Sequence, residues 1–367
     1  MPWYTVENVA EIPSPALLVY PDRVEQNIRH MIELAGGVER LRPHMKTNKL
    51  REVVRMHLDQ GITRFKCATI AEAEMAAACG APDVLLAYQP VGPNVKRFVH
   101  LVETFSDTRF SAVADDEATI RALSDAAVEA DVPLNVFLDL DGGMHRTGIA
   151  PGERAVALYK LLSTLPALHA AGLHMYDGHI HDTDLETRQK ASDEAFGHVQ
   201  EMRNALATAG LEVPTIVVGG TPTFPLHARR ADVECSPGTT VFWDFGYSTI
   251  LPDLDFAPAV TLLTRVISRP EENRLCLDLG HKAVASENPH PRVKLFGLEE
   301  ATPVGHSEEH LVLETDRAAD FPVGTALYGV PWHVCPTVAL HNEAVVVRNG
   351  RAAERWQIVA RARTLTI

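Results

Sequence analysis

The sequence predicts an α/β protein, a (β/α)8 TIM barrel followed by a mostly β domain. Three observations carry that expectation. At 367 residues the chain exceeds one ordinary domain and leaves room for a barrel of about 250 residues plus a smaller domain. About eight short, nearly continuous apolar runs alternate with helix-patterned segments before residue 240, as parallel strands do when helices cover their outer faces. After Tyr247 the rhythm turns to β-rich segments with few helical stretches. The expected limits are 17–245 for the barrel, with 1–16 and 246–367 forming the β-rich domain.

The first helical pattern sets the standard for the rest. Asp22 with Glu25 reads as a capping box, Val24, Ile28, Met31, Ile32 and Ala35 share one face, and Gly36-Gly37 stops the helix. Strands are then expected in RLRPHMK, RFKCAT, DVLLAYQ, RFSAVAD, LNVFLDL, AAGLHMYDGH, TIVVGG and DVECSPGT, with helices including 70–79, 116–130 and 183–209. An open doubly wound sheet has the same periodicity; eight units favour closure. The later strands are AVTLLTRVISR, RLCLDLG, HLVLETD, EAVVVRNG and RWQIVARARTLTI.

Composition narrows the class. The chain is 46% hydrophobic and 22% charged, and no apolar run approaches the roughly 20 residues a bilayer span needs. The N-terminal stretch MPWYTVENVAEIPSP has neither a basic start nor an apolar centre, and the five cysteines are scattered with no C-x-x-C pair. A soluble protein of the reducing cytoplasm is expected. A net charge of −14 without a basic stripe argues against nucleic acid.

In a barrel, working residues stand where strands end and βα loops begin. Strand one ends in RPHMKTNK (Arg42 to Lys49), strand five in DLDGGMHRTG (Asp139 to Gly148), strand six in HMYDGHIHD (His174 to Asp182), strand seven in GGTPT (Gly219 to Thr223) and strand eight in SPGTT (Ser236 to Thr240). Two Gly-Thr turns on adjacent strands offer backbone N–H groups and hydroxyls to an anion, a phosphate cup. Lys46 stands among Arg42, His44 and Lys49, and neighbouring cations make an amine a usable nucleophile toward an aldehyde. On pattern alone a solvated basic loop is the commoner meaning of such a stretch.

EIPSPALLVYPDRVEQNI followed by RPHMKTNK, then DGGMHRTG, GGTPT, CSPGTT, LDLGHKAVASE, SEEH and PWHVCPT, resembles the alanine-racemase-like, fold type III pyridoxal phosphate (PLP) enzymes. The branch is that of D-threonine aldolase and eukaryotic-type D-serine dehydratase. The resemblance spans nearly the whole chain. It implies that Lys46 carries the cofactor, that Arg146 hydrogen-bonds its phenolic oxygen, that Tyr176 contacts its ring, and that Gly220, Thr221, Gly238 and Thr239 hold its phosphate. Asn48 departs from the family, which usually has histidine there. A homodimer is implied by resemblance alone.

His333 and Cys335 lie two apart, so in an extended segment both face one way. Imidazole and thiolate suit zinc, with manganese or magnesium possible if harder ligands join. Two protein ligands cannot close a structural zinc site, which leaves positions for water or substrate. The resemblance implies a divalent metal at these positions. It also implies a 3-hydroxy-D-amino acid substrate, with retro-aldol cleavage to glycine and an aldehyde as the favoured reaction and His181 or His179 as base. Dehydration to a keto acid and ammonia is the alternative: the aldolase branch more often has Asp where Cys335 stands, whereas Pro336-Thr337 and the histidine loop look aldolase-like. Racemisation would need a second acid/base on the opposite face of the cofactor. A non-enzymatic PLP-binding regulator would lack the β-rich domain.

Overall fold

Strand and helix alternate from the start of the chain, and the computed structural model describes residues 2–367. The order runs β1 (Ala16–Val19), α1 (Pro21–Ala35), α2 (Arg51–Asp59), β2 (Arg64–Cys67), α3 (Ile70–Ala78), β3 (Asp83–Leu86), α4 (Pro93–Thr104), β4 (Arg109–Ala114), α5 (Glu117–Ala130), β5 (Leu134–Leu140), α6 (Glu153–Thr164), β6 (Leu168–Met175), α7 (Leu185–Thr208), β7 (Thr215–Val218), α8 (Phe224–Ala228) and β8 (Glu234–Cys235). Two compact units divide the chain. Arg29–Lys46, Val53–Gly238 and Ala362–Ile367 form one; residues up to Ile28, Thr47–Glu52 and Thr239–Arg361 form the other.

In the barrel unit β2 to β8 pair in parallel and in chain order. The eighth stave is the segment around Pro43: Leu41 bridges Cys235 on one side and His44 bridges Lys66 on the other. Arg42 N–H donates to the Cys235 carbonyl at 2.9 Å, and Met45 N–H to the Lys66 carbonyl at 2.8 Å. The strand expected here is thus reduced to two bridges. Proline has no N–H, so Pro43 interrupts the ladder, although its carbonyl still accepts from Lys66 N–H at 2.9 Å. One residue from each of β3 to β7 (Leu85, Val113, Phe137, Ala171 and Val217) packs into a single buried cluster.

Local chemistry sets the helix limits. Thr69, Asp116 and Asp184 each cap a helix by accepting a backbone N–H three residues on. Pro21 takes the first helical position of α1, so Asp22 falls inside the first turn and is not the cap that the sequence pattern suggested.

The β-rich unit continues with α9 (Phe245–Ile250), β9 (Val260–Ser268), β10 (Arg274–Leu277), β11 (Val293–Leu295), β12 (Thr302–His306), β13 (Leu311–Glu314), β14 (Ala326–Pro331), α10 (Val334–Leu340), β15 (Glu343–Arg348) and β16 (Arg351–Gln357). Its sheet runs β12-β13-β10-β9-β1-β15-β16, with β14 beside β9 and β11 beside β14. Most of β1 lies inside the limits expected for the barrel, yet it pairs antiparallel with β9 and parallel with β15. Four buried apolar residues in succession suit a central strand covered on both faces. Among the described residues no helix is long and apolar enough to cross a membrane.

A register shift in the β5/β6 pairing falls between Val136 and Phe137. Nearby, Gly172 adopts φ +138, and a Cβ there would stand 1.8 Å from the Thr215 carbonyl oxygen of β7. Gly172→Ala is expected to destabilise the protein by at least ~2 kcal/mol, read as a fall in the urea midpoint; an unchanged midpoint would contradict this account of the β6/β7 contact.

Candidate active site

Tyr176 follows directly on β6, and its ring collects charge. Lys46 Nζ lies 5.5 Å, Lys66 Nζ 5.8 Å and the Arg146 guanidinium carbon 5.1 Å from the ring centroid. Two glycines wedge the ring: a Cβ on Gly178 would fall 2.3 Å from its outer edge and one on Gly220 2.8 Å from Cε2. The structure therefore brings Lys46, Tyr176, Arg146 and Gly220 together.

The cations around Lys46 are not those the sequence suggested. Arg42 is buried in ion pairs with Asp83 at 2.5 Å and Glu234 at 2.6 Å, and Lys49 Nζ reaches the Ala360 carbonyl at 3.5 Å. His44 Nδ1 accepts the Lys46 backbone N–H at 3.3 Å.

Lys66 takes the place expected for Arg42, and sequence reasoning missed it. The signal was a lysine in the middle of an otherwise apolar buried strand. His174 Nε2 lies 3.4 Å from Lys66 Nζ, and His174 Nδ1 lies 2.6 Å from Asp139 Oδ1. A carboxylate only accepts, so Nδ1 carries the proton and Nε2 is left to accept from Lys66. Burial, then the charge of Lys46, pushes the Lys66 amine down to about 7. Burial likewise lowers His174, and the Lys66 charge adds to it, against the opposing pull of Asp139.

The two glycine turns are tied to each other. Gly238 N–H donates to Thr221 Oγ1 at 3.1 Å. Gly220 N–H donates to Thr223 Oγ1 at 3.3 Å, and that hydroxyl donates to Asp177 Oδ1 at 2.8 Å. Asp177 Oδ2 holds His227 Nε2 at 2.7 Å, with both side chains buried. Burial alone would raise the Asp177 carboxyl, but His227 and Thr223 outweigh it and hold the group below its ordinary value. Ser236 Oγ is buried with no hydrogen-bond partner among the described residues. Thr239 opens a 3-10 turn, Thr239–Val241.

His179 and His181 are exposed. His179 Nε2 would lie 3.2 Å from a Cβ on Gly143, and it lines an open groove of about 720 Å³ with His145 and His198. That groove does not include Lys46. Arg188 Nη1 anchors the loop by donating to the Asp182 carbonyl at 2.7 Å.

In the β-rich unit Cys335 lies close enough to His333 to favour the charged imidazole, but the two are not in the extended segment expected. His333 is the N-terminal cap of α10, and Cys335 lies in its first turn. Glu287 Oε1 holds His333 Nδ1 at 2.5 Å. Burial opposes the imidazole's charge, yet Cys335 and Glu287 raise His333 to about 9. Cys335 Sγ lies 3.1 Å from Thr47 Oγ1 and 3.5 Å from Thr239 Oγ1. Asp244, pushed up to about 6 by burial, accepts the Val334 N–H at 3.0 Å. No group of three or more His, Cys, Asp or Glu side chains is arranged for a metal among the described residues.

Comparison with known proteins gives this geometry a lineage. Residues 19–244 match the model of the alanine racemase N-terminal domain, and 259–347 match that of a serine dehydratase-type domain. A D-threonine aldolase of Arthrobacter is 29% identical over 96% of this chain and 94% of its own length. A D-threo-3-hydroxyaspartate dehydratase of Delftia is 28% identical over 96% of this chain and 98% of its own. The crystal structure of D-threonine aldolase from Filomicrobium marinum superposes with a TM-score of 0.89 at 28% identity, covering 96% of this chain and 97% of that one.

Asp177→Asn removes the charge and keeps only one acceptor oxygen, so an NH2 group must face either Thr223 or His227 where a carboxylate oxygen accepted before. Asp177→Asn is expected to cost about 3 kcal/mol near neutral pH. Because the folded carboxyl sits below its ordinary value, its contribution is full above pH ~4 and is lost as the pH falls through the lowered value. Urea midpoints followed into the acid range should show the gap from the unaltered protein holding and then closing; a gap that widened in acid would refute the pairing.

Proposed function

Because the chain belongs to the family of the alanine racemase N-terminal domain, we propose that it is a PLP-dependent lyase acting on 3-hydroxy-D-amino acids. The favoured reaction is retro-aldol cleavage of D-threonine or a related substrate to glycine and an aldehyde. One observation carries the reading: the Lys46 amine and the Arg146 guanidinium lie over the Tyr176 ring, Gly220 stands at its edge, and the turn that holds Gly220 is tied through Thr221 to Gly238, a donor set suited to an aldehyde phosphate.

The residues fit the cofactor. Gly220 leaves ring-edge space that a Cβ would fill, Ser236 offers a buried hydroxyl with no protein acceptor, and the groups around Tyr176 are cations. Lys46 Nζ would bind the aldehyde carbon and Arg146 the phenolic oxygen. Gly220, Thr221, Gly238 and Thr239 would hold the phosphate through N–H and hydroxyl donors. Bound PLP is an electron sink that lets the substrate's Cα carry negative charge. His181 or His179 takes the proton from the β-hydroxyl oxygen as the Cα–Cβ bond breaks. His333 and Cys335 would hold zinc, manganese or magnesium, a positive charge of the kind that lowers the pKa of a bound hydroxyl. The proposed assembly is a homodimer.

Dehydration is the second reading, and Cys335 favours it, as does the similarity to the Delftia dehydratase. There Lys46 Nζ takes the α-proton and the β-hydroxyl departs, giving a keto acid and ammonia.

Purified protein given D-threonine, PLP and a divalent metal should yield acetaldehyde and glycine; 2-oxobutanoate with ammonia would replace the aldolase by the dehydratase. Lys46→Ala should remove the absorbance band of protein-bound PLP, and a surviving band would refute the role of Lys46. Chelation should stop product formation and leave that band in place; undiminished turnover would refute the metal pair.

A further inference from the structure

The β-rich unit holds a local excess of positive charge that the proposed reaction does not use. A cavity of about 130 Å³ has Leu295, Leu298 and Leu313 among its lining, with Arg292, Lys294 and His306 at its rim. The one carboxylate among its lining residues, Glu299, accepts the Gly297 N–H at 3.0 Å. In a chain with 48 acidic against 34 basic residues, a cationic rim so poor in carboxylates calls for a physical account.

The guanidinium is held in place. Arg292 Nε donates to the Asn288 carbonyl at 2.9 Å, and Nη1 donates to His306 Nδ1 at 2.8 Å. His306 Nε2 faces the Leu279 carbonyl at 3.1 Å, so the imidazole is fixed as the neutral tautomer that accepts from Arg292. Arg292 Nη2 has no hydrogen-bond partner, and Lys294 makes no ion pair, among the described residues. Lys294 Nζ lies 5.5 Å from the Phe245 ring. Burial, then the charge of Arg292, pushes His306 down to about 4, and the same two causes lower His290. A rim that suppresses protonation of its own imidazoles is short of an anion.

We propose that this cavity binds a small aliphatic monocarboxylate, its carboxylate on Arg292 and Lys294 and its hydrocarbon tail on Leu295, Leu298 and Leu313. The leucines set the class: they are among the residues that line the cavity, and a bare inorganic anion would leave that apolar lining in contact with water. The volume, worth about four waters, suits an acid of about five carbons. The site also adjoins the segment that carries His333. The Arg292 carbonyl accepts the Trp332 N–H at 2.8 Å, and Asn288, held by Arg292 Nε, follows Glu287, which grips His333.

Isothermal titration of the full chain with 3-methylbutanoate should show one saturable site. Acetate, which lacks the tail, and 3-methylbutan-1-ol, which lacks the charge, should each bind at least about tenfold more weakly. Lys294→Gln, at an exposed position, and Arg292→Gln should each weaken the acid about tenfold. Absence of saturable binding would overturn the proposal, as would an alcohol or acetate that binds as tightly as the acid. Unchanged affinity in both variants would overturn it too, and Lys294→Gln keeps that test valid if Arg292→Gln does not fold.

Discussion

The barrel depends on one short segment, Leu41 to Met45, which must hydrogen-bond to strands on both sides to close the ring. It does so across a proline, with backbone bonds to Cys235 and Pro237 on one side and to Lys66 on the other. So few backbone bonds would hold two sheet edges weakly. The side chain of Arg42 adds the rest: it is buried and paired with the first residues of β3 and β8, Asp83 and Glu234. Removing one partner of such a buried set costs about 3–5 kcal/mol, because the other charges are left uncompensated. Lys46 inherits its place from this closure, as the residue that follows the stave.

Barrel interiors are normally layers of apolar side chains, mostly branched ones, and Leu85, Val113 and Val217 follow that rule, with Phe137 and Ala171 completing their cluster. Lys66, Asp139 and His174 do not, and burying them is costly unless each finds a partner. The chain from carboxylate to imidazole to amine satisfies the hydrogen bonds. It does not place the Asp139 charge directly on Lys66, so burial and Lys46 lower the amine toward neutrality. Asp177 and His227 show the other solution, a direct contact that keeps the carboxylate ionised. The difference suits their positions: one pair fixes the turn at Gly220, while the other leaves beside Tyr176 an amine whose protonated form any arriving anion would favour.

What the sequence made legible was the part governed by periodicity and turn chemistry. The alternation of apolar runs and helices and the two Gly-Thr turns appear where local rules put them, whereas Asp22, read as a cap, falls inside the first turn of α1. Three features escaped because each depends on distant partners. The strand Ala16–Val19 looks like the start of a barrel, and only its long-range pairing with β9 and β15 assigns it to the β-rich sheet. Arg42 looks like a neighbour of Lys46, but carboxylates 41 and 192 residues away take it. Lys66 looks like an interruption of a strand, and its meaning comes from β5 and β6.

His333 and Cys335 show the same limit from the other side. Spacing two apart implies a shared face only if the backbone is extended, and here a helix begins between them. The pair still meets, because a helix cap and the first turn of the same helix are close in space and Asp244 accepts the Val334 N–H at the junction. Cys335 then lies against the hydroxyls of Thr47 and Thr239, which follow Lys46 and Gly238 in the chain. The size and acceptor strength of the residue at position 335 therefore bear on two threonines one peptide bond from the residues proposed to hold the cofactor. Replacing the sulfur of Cys335 by a carboxylate oxygen would change both contacts at once, so position 335 cannot be altered without touching the threonines that follow Lys46 and Gly238.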